Sequence, residues 1–133
     1  MKFPFLAAVA LTVWMPGQGL TQDIELGGTY FFTYCASCHG DDATGGGPMV
    51  PILNVTPPDL TGLTVRNGGT FPTARVAFRI DGRDPLLAHG GPMPIYGDLF
   101  EGEAAALKTQ SGQPILVGKG IADVITWLEA IQK

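Results

Sequence analysis

The sequence predicts a single all-α domain with one helix near each end of the chain and short helices and loops between them. Two stretches near the ends of the chain, residues 27–38 and 120–132, carry apolar side chains at helical spacing. Glycine and proline make up 19 and 11 of the 133 residues, and most of them fall between these stretches. This composition leaves room for only short regular elements there.

The first 19 residues have the pattern of a secretory signal peptide. Lys2 supplies a positive charge, residues 3–15 are uncharged and mostly apolar, and Gly17 and Gly19 are small residues ahead of a cleavage site. An uncleaved membrane anchor is the alternative, but the apolar run is shorter than the roughly 20 residues needed to span a membrane. We therefore expect cleavage after Gly19, an exported mature domain at residues 20–133 and no stable membrane insertion. The net charge of −4 and the pI near 4.9 argue against nucleic acid as a partner.

Cys35, Cys38 and His39 form a Cys-x-x-Cys-His motif, which is typical of the attachment site of a c-type haem. If the motif is helical, the three side chains project from one side of a single turn. The two thiols can then form thioether bonds to the two vinyl groups of the haem, and a nitrogen of His39 can bind its iron. The motif predicts one covalent haem c.

Two other interpretations of the motif fit the sequence less well. A disulfide in a thioredoxin-like protein would need a strand before the motif and βαβ units around it, and the sequence indicates neither. A zinc site needs four ligands, so it would have to use both cysteines and both histidines of the chain.

The first helix is predicted over residues 27–38, with Asp23 as its cap and Glu25 favourable in the first turn. Two glycines inside a helix cost about 1 kcal/mol each relative to alanine, so Gly27 and Gly28 need a reason. Close approach of another helix at Gly27 is the expected one, with Phe31 packing one turn later. The alternative is that both glycines precede the helix.

Residues 40–55 are predicted to form a loop, because the run Gly45-Gly46-Gly47-Pro48 sustains neither helix nor strand. Proline has a fixed φ and lacks an N–H, which suits a rigid segment whose carbonyl groups point inward. We expect a carbonyl at Pro48 to accept the free ring N–H of His39 and fix its orientation. In the turn that follows, Asp59 or Thr61 is expected to cap a short helix.

The next helix is predicted to open at residues 70–73, with Pro72 in its first turn, and to stop at Gly82. Its arginines recur every four residues. Any of them could pair with the haem propionates through charge-assisted hydrogen bonds, or they could form a solvated basic face. The candidates are Arg75, Arg79, Arg83 and, from the preceding segment, Arg66.

Met93 is the predicted sixth ligand of the iron. It lies between two prolines in a glycine-rich stretch, which is unusual for a core methionine and favourable for a rigidly presented ligand. His89 and Met49 are the alternatives, and an open iron is a third. His89 would give bis-histidine ligation and a lower potential, whereas Met49 follows His39 by only ten residues.

The end of the chain is predicted to contain two more helices. Residues 98–107 have a helical pattern, and residues 109–114 are expected to form a polar surface excursion. The last helix, at residues 120–132, shows the spacing i, i+3, i+4, i+7 of a core-facing helix. Its apolar positions are Ile121, Val124, Ile125 and Leu128, flanked by Trp127.

Together these motifs resemble those of the class I, monohaem cytochrome c family of the bacterial periplasm. Gly27 and Phe31 stand eight and four residues before Cys35, as in that family. The other matching pairs are Gly47-Pro48, Met93-Pro94, and Val124 with Trp127. The resemblance implies a cytochrome c fold, with the first and last helices crossing at the edge of the haem and the Pro58-Asp59-Leu60-Thr61 stretch near the propionates.

The function that the resemblance implies is single-electron transfer between redox partner proteins, without enzymatic activity. With His39 and Met93 in both axial positions, no substrate would reach the iron. One alternative is a haem c protein with an open or displaceable sixth ligand, which would bind gases or act as a catalyst. Another is a haem subunit of a larger periplasmic oxidoreductase complex. The chain departs from the smallest family members in its longer segment at residues 98–114, and from the mitochondrial type in lacking a ring of lysines.

Overall fold

The computed structural model describes residues 22–84 and 91–133, and the predicted signal peptide at residues 1–19 lies outside them. Within this part, the helices are α1 (Ile24–Tyr34), α2 (Ala36–His39), α3 (Leu63–Arg66), α4 (Thr73–Asp81) and α5 (Lys119–Ala130). The strands are β1 (Ala104–Lys108) and β2 (Pro114–Gly118). Single 3-10 turns lie at Val50–Ile52 and Asp98–Phe100.

Helices α1 and α5 pack against each other at the centre of the fold, and glycines set how closely they approach. Gly27 and Gly28 both lie inside α1, so the alternative in which they precede the helix is wrong. A Cβ atom at Gly27 would clash with the backbone carbonyl of Asp123, and one at Gly28 would lie 2.9 Å from the ring nitrogen of Trp127. The predicted close approach at Gly27 is confirmed.

Two carboxylates fix the N-terminus of α1: that of Asp23 caps the helix, and that of Asp123 holds it against α5. The side chain of Asp23 accepts hydrogen bonds from the N–H groups of Glu25 and Leu26, both at 3.0 Å, which confirms the predicted cap. The N–H of Asp23 itself donates to Oδ1 of Asp123 at 2.7 Å. Asp123 is 1% exposed and forms an ion pair with Lys119 at 2.8 Å, so the buried carboxylate has both a charge partner and a hydrogen bond.

A tight turn precedes α3. Oδ1 of Asp59 accepts hydrogen bonds from the N–H and the hydroxyl of Thr61, at 2.8 and 2.7 Å. The N-cap of α3 is Gly62, which contributes no side-chain bond. The prediction that Asp59 or Thr61 caps this helix is therefore wrong, because Asp59 closes the turn before it.

Residues 98–107 do not form the predicted helix. They contain the 3-10 turn and most of β1, which pairs antiparallel with β2 so that Ala106 lies opposite Leu116. Exposed and buried residues alternate along β1, with Ala105 and Leu107 buried. Gly102, with φ at 134°, separates the 3-10 turn from the strand. The predicted surface excursion at residues 109–114 connects the two strands.

The buried core lies along one face of α5. Ile121, Val124, Ile125 and Leu128 are at most 3% exposed, which confirms the predicted apolar face. Helix α4 packs beside them and ends, as predicted, at Gly82, whose φ is 88°. No helix in the described part of the chain has both the length and the apolar character needed to cross a membrane.

Candidate haem-binding site

The Cys-x-x-Cys-His motif forms its own short helical turn at the end of α1. Cys35 is the junction between α1 and α2, and its carbonyl accepts the N–H groups of Cys38 and His39 at 3.1 and 2.9 Å. These bonds give the motif the helical geometry expected from its sequence. Both thiols are free and half-buried.

The glycine-rich loop holds this turn in place. The carbonyls of Ser37, Cys38 and His39 have no partners within so short a helix. They accept the N–H groups of Met49, Gly47 and Gly45 at 2.9, 3.2 and 2.7 Å, respectively. A Cβ atom at Gly47 would clash with the backbone of Ser37 and Cys38. The loop can therefore lie against the motif only because glycine stands there.

One apolar cavity of about 610 Å³ brings the predicted site residues together. Cys35, Cys38, His39 and Met93 all line it. Its volume lies in the range of small-molecule and cofactor sites. The rest of its wall comes from α1, α3, α4, α5 and the segment before α3, and is mostly apolar. It includes Phe31, Leu60, Leu63, Ile80, Val124 and Leu128.

His39 is buried and suited to bind a metal as a neutral imidazole. Burial lowers its pKa, and the nearby backbone of Pro58 opposes this effect. Its Nδ1 atom has no hydrogen-bond partner among the described residues. The bond to a carbonyl at Pro48 is therefore not formed. Pro48 is exposed and lies outside the cavity lining, whereas Pro58 lies within it.

The thiol of Cys35 is not suited to thioredoxin-like chemistry. Burial, and the neighbouring Cys38, raise the pKa of Cys35 to about 11. A redox-active cysteine needs the opposite shift, because the thiolate is its reactive form. Among the described residues, no three or more His, Cys, Asp or Glu side chains are placed so that they could hold one metal ion, which gives no support to a zinc site.

The alternative ligands are placed differently from Met93. Met93 is half-buried and packs against the core. Met49 is 40% exposed and lies outside the cavity lining. His89 lies outside the described residues.

Two of the four candidate arginines, Arg75 and Arg79, line the cavity, and Arg79 lies 3.6 Å from a carboxylate oxygen of Asp84. Arg83 donates instead to the side chain of Asp81 at 2.6 Å and to the carbonyl of Leu116 at 2.8 Å. Arg66 donates to the backbone carbonyl of Asp59.

Two parts of the cavity wall were not predicted from the sequence. One comprises Leu53, Val55, Thr56 and Pro57, and the other is Tyr96. The signal for the first was the absence of any charge between residues 43 and 58. The signal for the second was an aromatic residue three positions after Met93.

The cavity satisfies the requirements of a covalently bound haem. It is apolar, it presents two thiols and a buried neutral imidazole together, and the half-buried thioether of Met93 reaches it. Fold and site thus define a haem-binding protein.

A model of the cytochrome c family matches residues 24–131. The chain belongs to the cytochrome c family and is a haem-binding electron-transfer protein. Neither the curated proteins nor the solved structures contain a match to it.

Proposed function

We propose that this protein transfers single electrons through one haem c that is bound covalently to Cys35 and Cys38 and ligated by His39 and Met93. The observation that carries the proposal is the convergence of these four side chains on one apolar cavity. Of the two methionines that could serve as sixth ligand, only Met93 lines that cavity.

The residues around the cavity have separate roles in this function. His39 enters the site as the neutral base that iron requires, since burial lowers its pKa. The apolar wall excludes water, and Arg75 and Arg79 supply positive charge for the propionates. When bound, the haem supplies one-electron exchange between ferric and ferrous iron, and a methionine ligand raises the potential.

We further propose that the protein works in the periplasm after removal of residues 1–19 and exchanges electrons with partner proteins in small, transient interfaces. Export supports haem attachment, because it delivers the chain unfolded to the compartment where the thioether bonds form. The described surface carries no ring of lysines, which argues against a strongly acidic partner.

Attachment is tested by a pyridine haemochrome spectrum together with the mass of the mature protein. We expect one haem with two thioether bonds and a chain that begins near residue 20. A colourless product from cells with a working maturation system, with both thiols open to alkylation, would overturn the proposal.

The sixth ligand is tested by the Met93→Ala variant. We expect it to lose the weak sulfur-to-iron band near the red end of the ferric spectrum, because no other methionine of residues 22–84 and 91–133 lines the cavity. Met49→Ala is the matched control and should keep the band, since Met49 is 40% exposed and lies outside the lining. An unchanged band in Met93→Ala would assign the ligand to another residue.

Carbon monoxide separates this proposal from a haem protein with an open sixth position. The reduced wild-type protein should resist carbon monoxide at neutral pH, because the thioether of Met93 fills the site. Rapid binding to the wild type would favour gas binding or catalysis instead.

A further inference from the structure

Tyr96 links two parts of the chain that meet at the cavity. Tyr96 lines the cavity and follows Met93 by three positions. Its backbone N–H donates to the carbonyl of Ile80, near the end of α4, at 2.8 Å. Its hydroxyl donates to the carbonyl of Tyr34 at 3.0 Å. Three residues after Met93, its segment is therefore hydrogen-bonded to two different helices, α4 and α1.

The bond to Tyr34 reaches the point where haem attachment begins. Tyr34 is the last residue of α1, and Cys35 follows it directly. The final carbonyls of a helix have no partners within the helix. The Tyr96 hydroxyl supplies one for Tyr34, so one hydrogen bond joins the Met93 segment to the Cys-x-x-Cys-His turn.

The short path between Tyr96 and Met93 is stiff. Pro94 lies between them and Pro92 precedes the methionine, and each has a fixed φ. With these φ angles fixed, fewer backbone rotations remain between Tyr96 and Met93, so a restraint at Tyr96 limits the positions open to Met93.

We infer that Tyr96 is a positioning residue. Its hydroxyl bonds the segment that carries Met93 to the end of α1, beside Cys35, and so holds Met93 in place as a ligand. This inference rests on the proposed function. In this inference, the hydroxyl of Tyr96 makes it harder for another ligand to replace Met93 on the iron. Without the hydroxyl, the Tyr34 carbonyl loses this partner, and the Met93 segment keeps its backbone bond to Ile80 but loses its hydrogen bond to the end of α1.

The test is the Tyr96→Phe variant of the haem-loaded protein, titrated with imidazole in the ferric state. The sulfur-to-iron band reports how much Met93 remains bound. We expect the apparent affinity for imidazole to rise about three- to tenfold, which corresponds to the loss of one ordinary hydrogen bond.

Tyr30→Phe is the matched control, since no hydrogen bond of the Tyr30 hydroxyl occurs among the described residues. The ring of Tyr30 packs against that of Phe100, with the two ring centroids 5.1 Å apart.

Pro94→Ala tests the same link from the other side. It keeps the hydroxyl of Tyr96 but loosens the backbone between that residue and Met93. We expect a smaller rise in imidazole affinity than in Tyr96→Phe. This variant also provides the readout should Tyr96→Phe fail to take up haem.

The outcomes separate this inference from the proposed function. A wild-type protein without the sulfur-to-iron band would overturn the assignment of Met93, and the role of Tyr96 with it. If the wild type and both tyrosine variants show the band, and Tyr96→Phe binds imidazole no better than Tyr30→Phe, the inference about Tyr96 is wrong but the assignment of Met93 stands. A lower melting temperature with unchanged imidazole affinity would likewise overturn it, since that result assigns Tyr96 a purely structural role. If Tyr96→Phe takes up no haem, unchanged affinity in Pro94→Ala overturns it.

Discussion

At the scale of single residues, the absence of a side chain matters as much as the chemistry of those present. Gly27 lets α1 lie against the backbone of α5, and Gly47 lets the loop lie against the haem-attachment turn. In both places a methyl group would overlap a carbonyl or another main-chain atom, which cannot rotate away as a flexible side chain can. These positions therefore tolerate no substitution without a shift of the backbone.

We predict that Gly27→Ala lowers the free energy of unfolding of the haem-loaded protein by about 2 kcal/mol. Alanine favours the helix over glycine by about 1 kcal/mol, but the clash with the Asp123 carbonyl outweighs that gain. Denaturant unfolding measures the difference.

Gly46→Ala is the control for this substitution. A Cβ atom there would meet nothing within 4 Å, so we expect a change below about 0.5 kcal/mol. Equal stabilities of the two variants would show that the α1–α5 crossing does not depend on Gly27.

At the scale of elements, the hairpin shows where pattern and structure diverge. Residues 98–107 contain leucine, glutamate and three successive alanines, which favour a helix. Pairing with β2 overrides that preference, because it buries Ala105 and Leu107 on one face while β2 buries Val117. Local propensity carries no information about a partner strand ten residues away.

We predict that Leu107→Ala lowers the free energy of unfolding by about 2–4 kcal/mol. Leu107 is 7% exposed and packs into the core, so its removal leaves a cavity. Leu116→Ala makes the same chemical change on the opposite face of the hairpin, where the side chain is 64% exposed. It should change stability by no more than about 0.5 kcal/mol. Equal losses of stability in the two variants would contradict the placement of Leu107 and Leu116 on opposite faces of the hairpin.

At the scale of the whole molecule, charge is excluded from the segments around the cavity. Residues 26–40, 43–58 and 91–97 contain no charged side chain, and each contributes to the cavity wall. The exposed side chain of Val55 belongs to that wall, at 54% exposure. The charged residues of the wall are Arg75 and Arg79 of α4 and Asp84, which follows that helix and pairs with Arg79. Most of the cavity wall is thus apolar and uncharged.

We predict that electron self-exchange between the ferric and ferrous forms depends weakly on salt. The rate constant should change less than about threefold as ionic strength rises from about 0.01 to 0.15 M, although the Debye length shortens from about 30 to 8 Å. Line broadening in NMR spectra of mixed redox states measures it. A tenfold change would show that the copies meet through charged surfaces.

Val55→Lys sharpens this test by placing a charge on the cavity wall. It should slow self-exchange at low salt, and added salt should restore the rate, because two like charges meet in the encounter. Val65→Lys adds the same charge at a site that is 68% exposed and outside the lining, so it should have little effect.

The sequence by itself determined the haem-attachment motif, the cap at Asp23, the apolar face of α5 and the close approach at Gly27. Each of these follows from spacing along one helix or from the intrinsic conformational cost of a residue, and both are properties of the local chain. Only the tertiary structure decided that residues 104–118 form a hairpin, that the N–H of Gly47 and not the carbonyl of Pro48 bonds to the motif, and that Tyr96 bonds to Tyr34. Those features depend on which segments meet in space, and a contact between two segments leaves no mark in the residue spacing within either one.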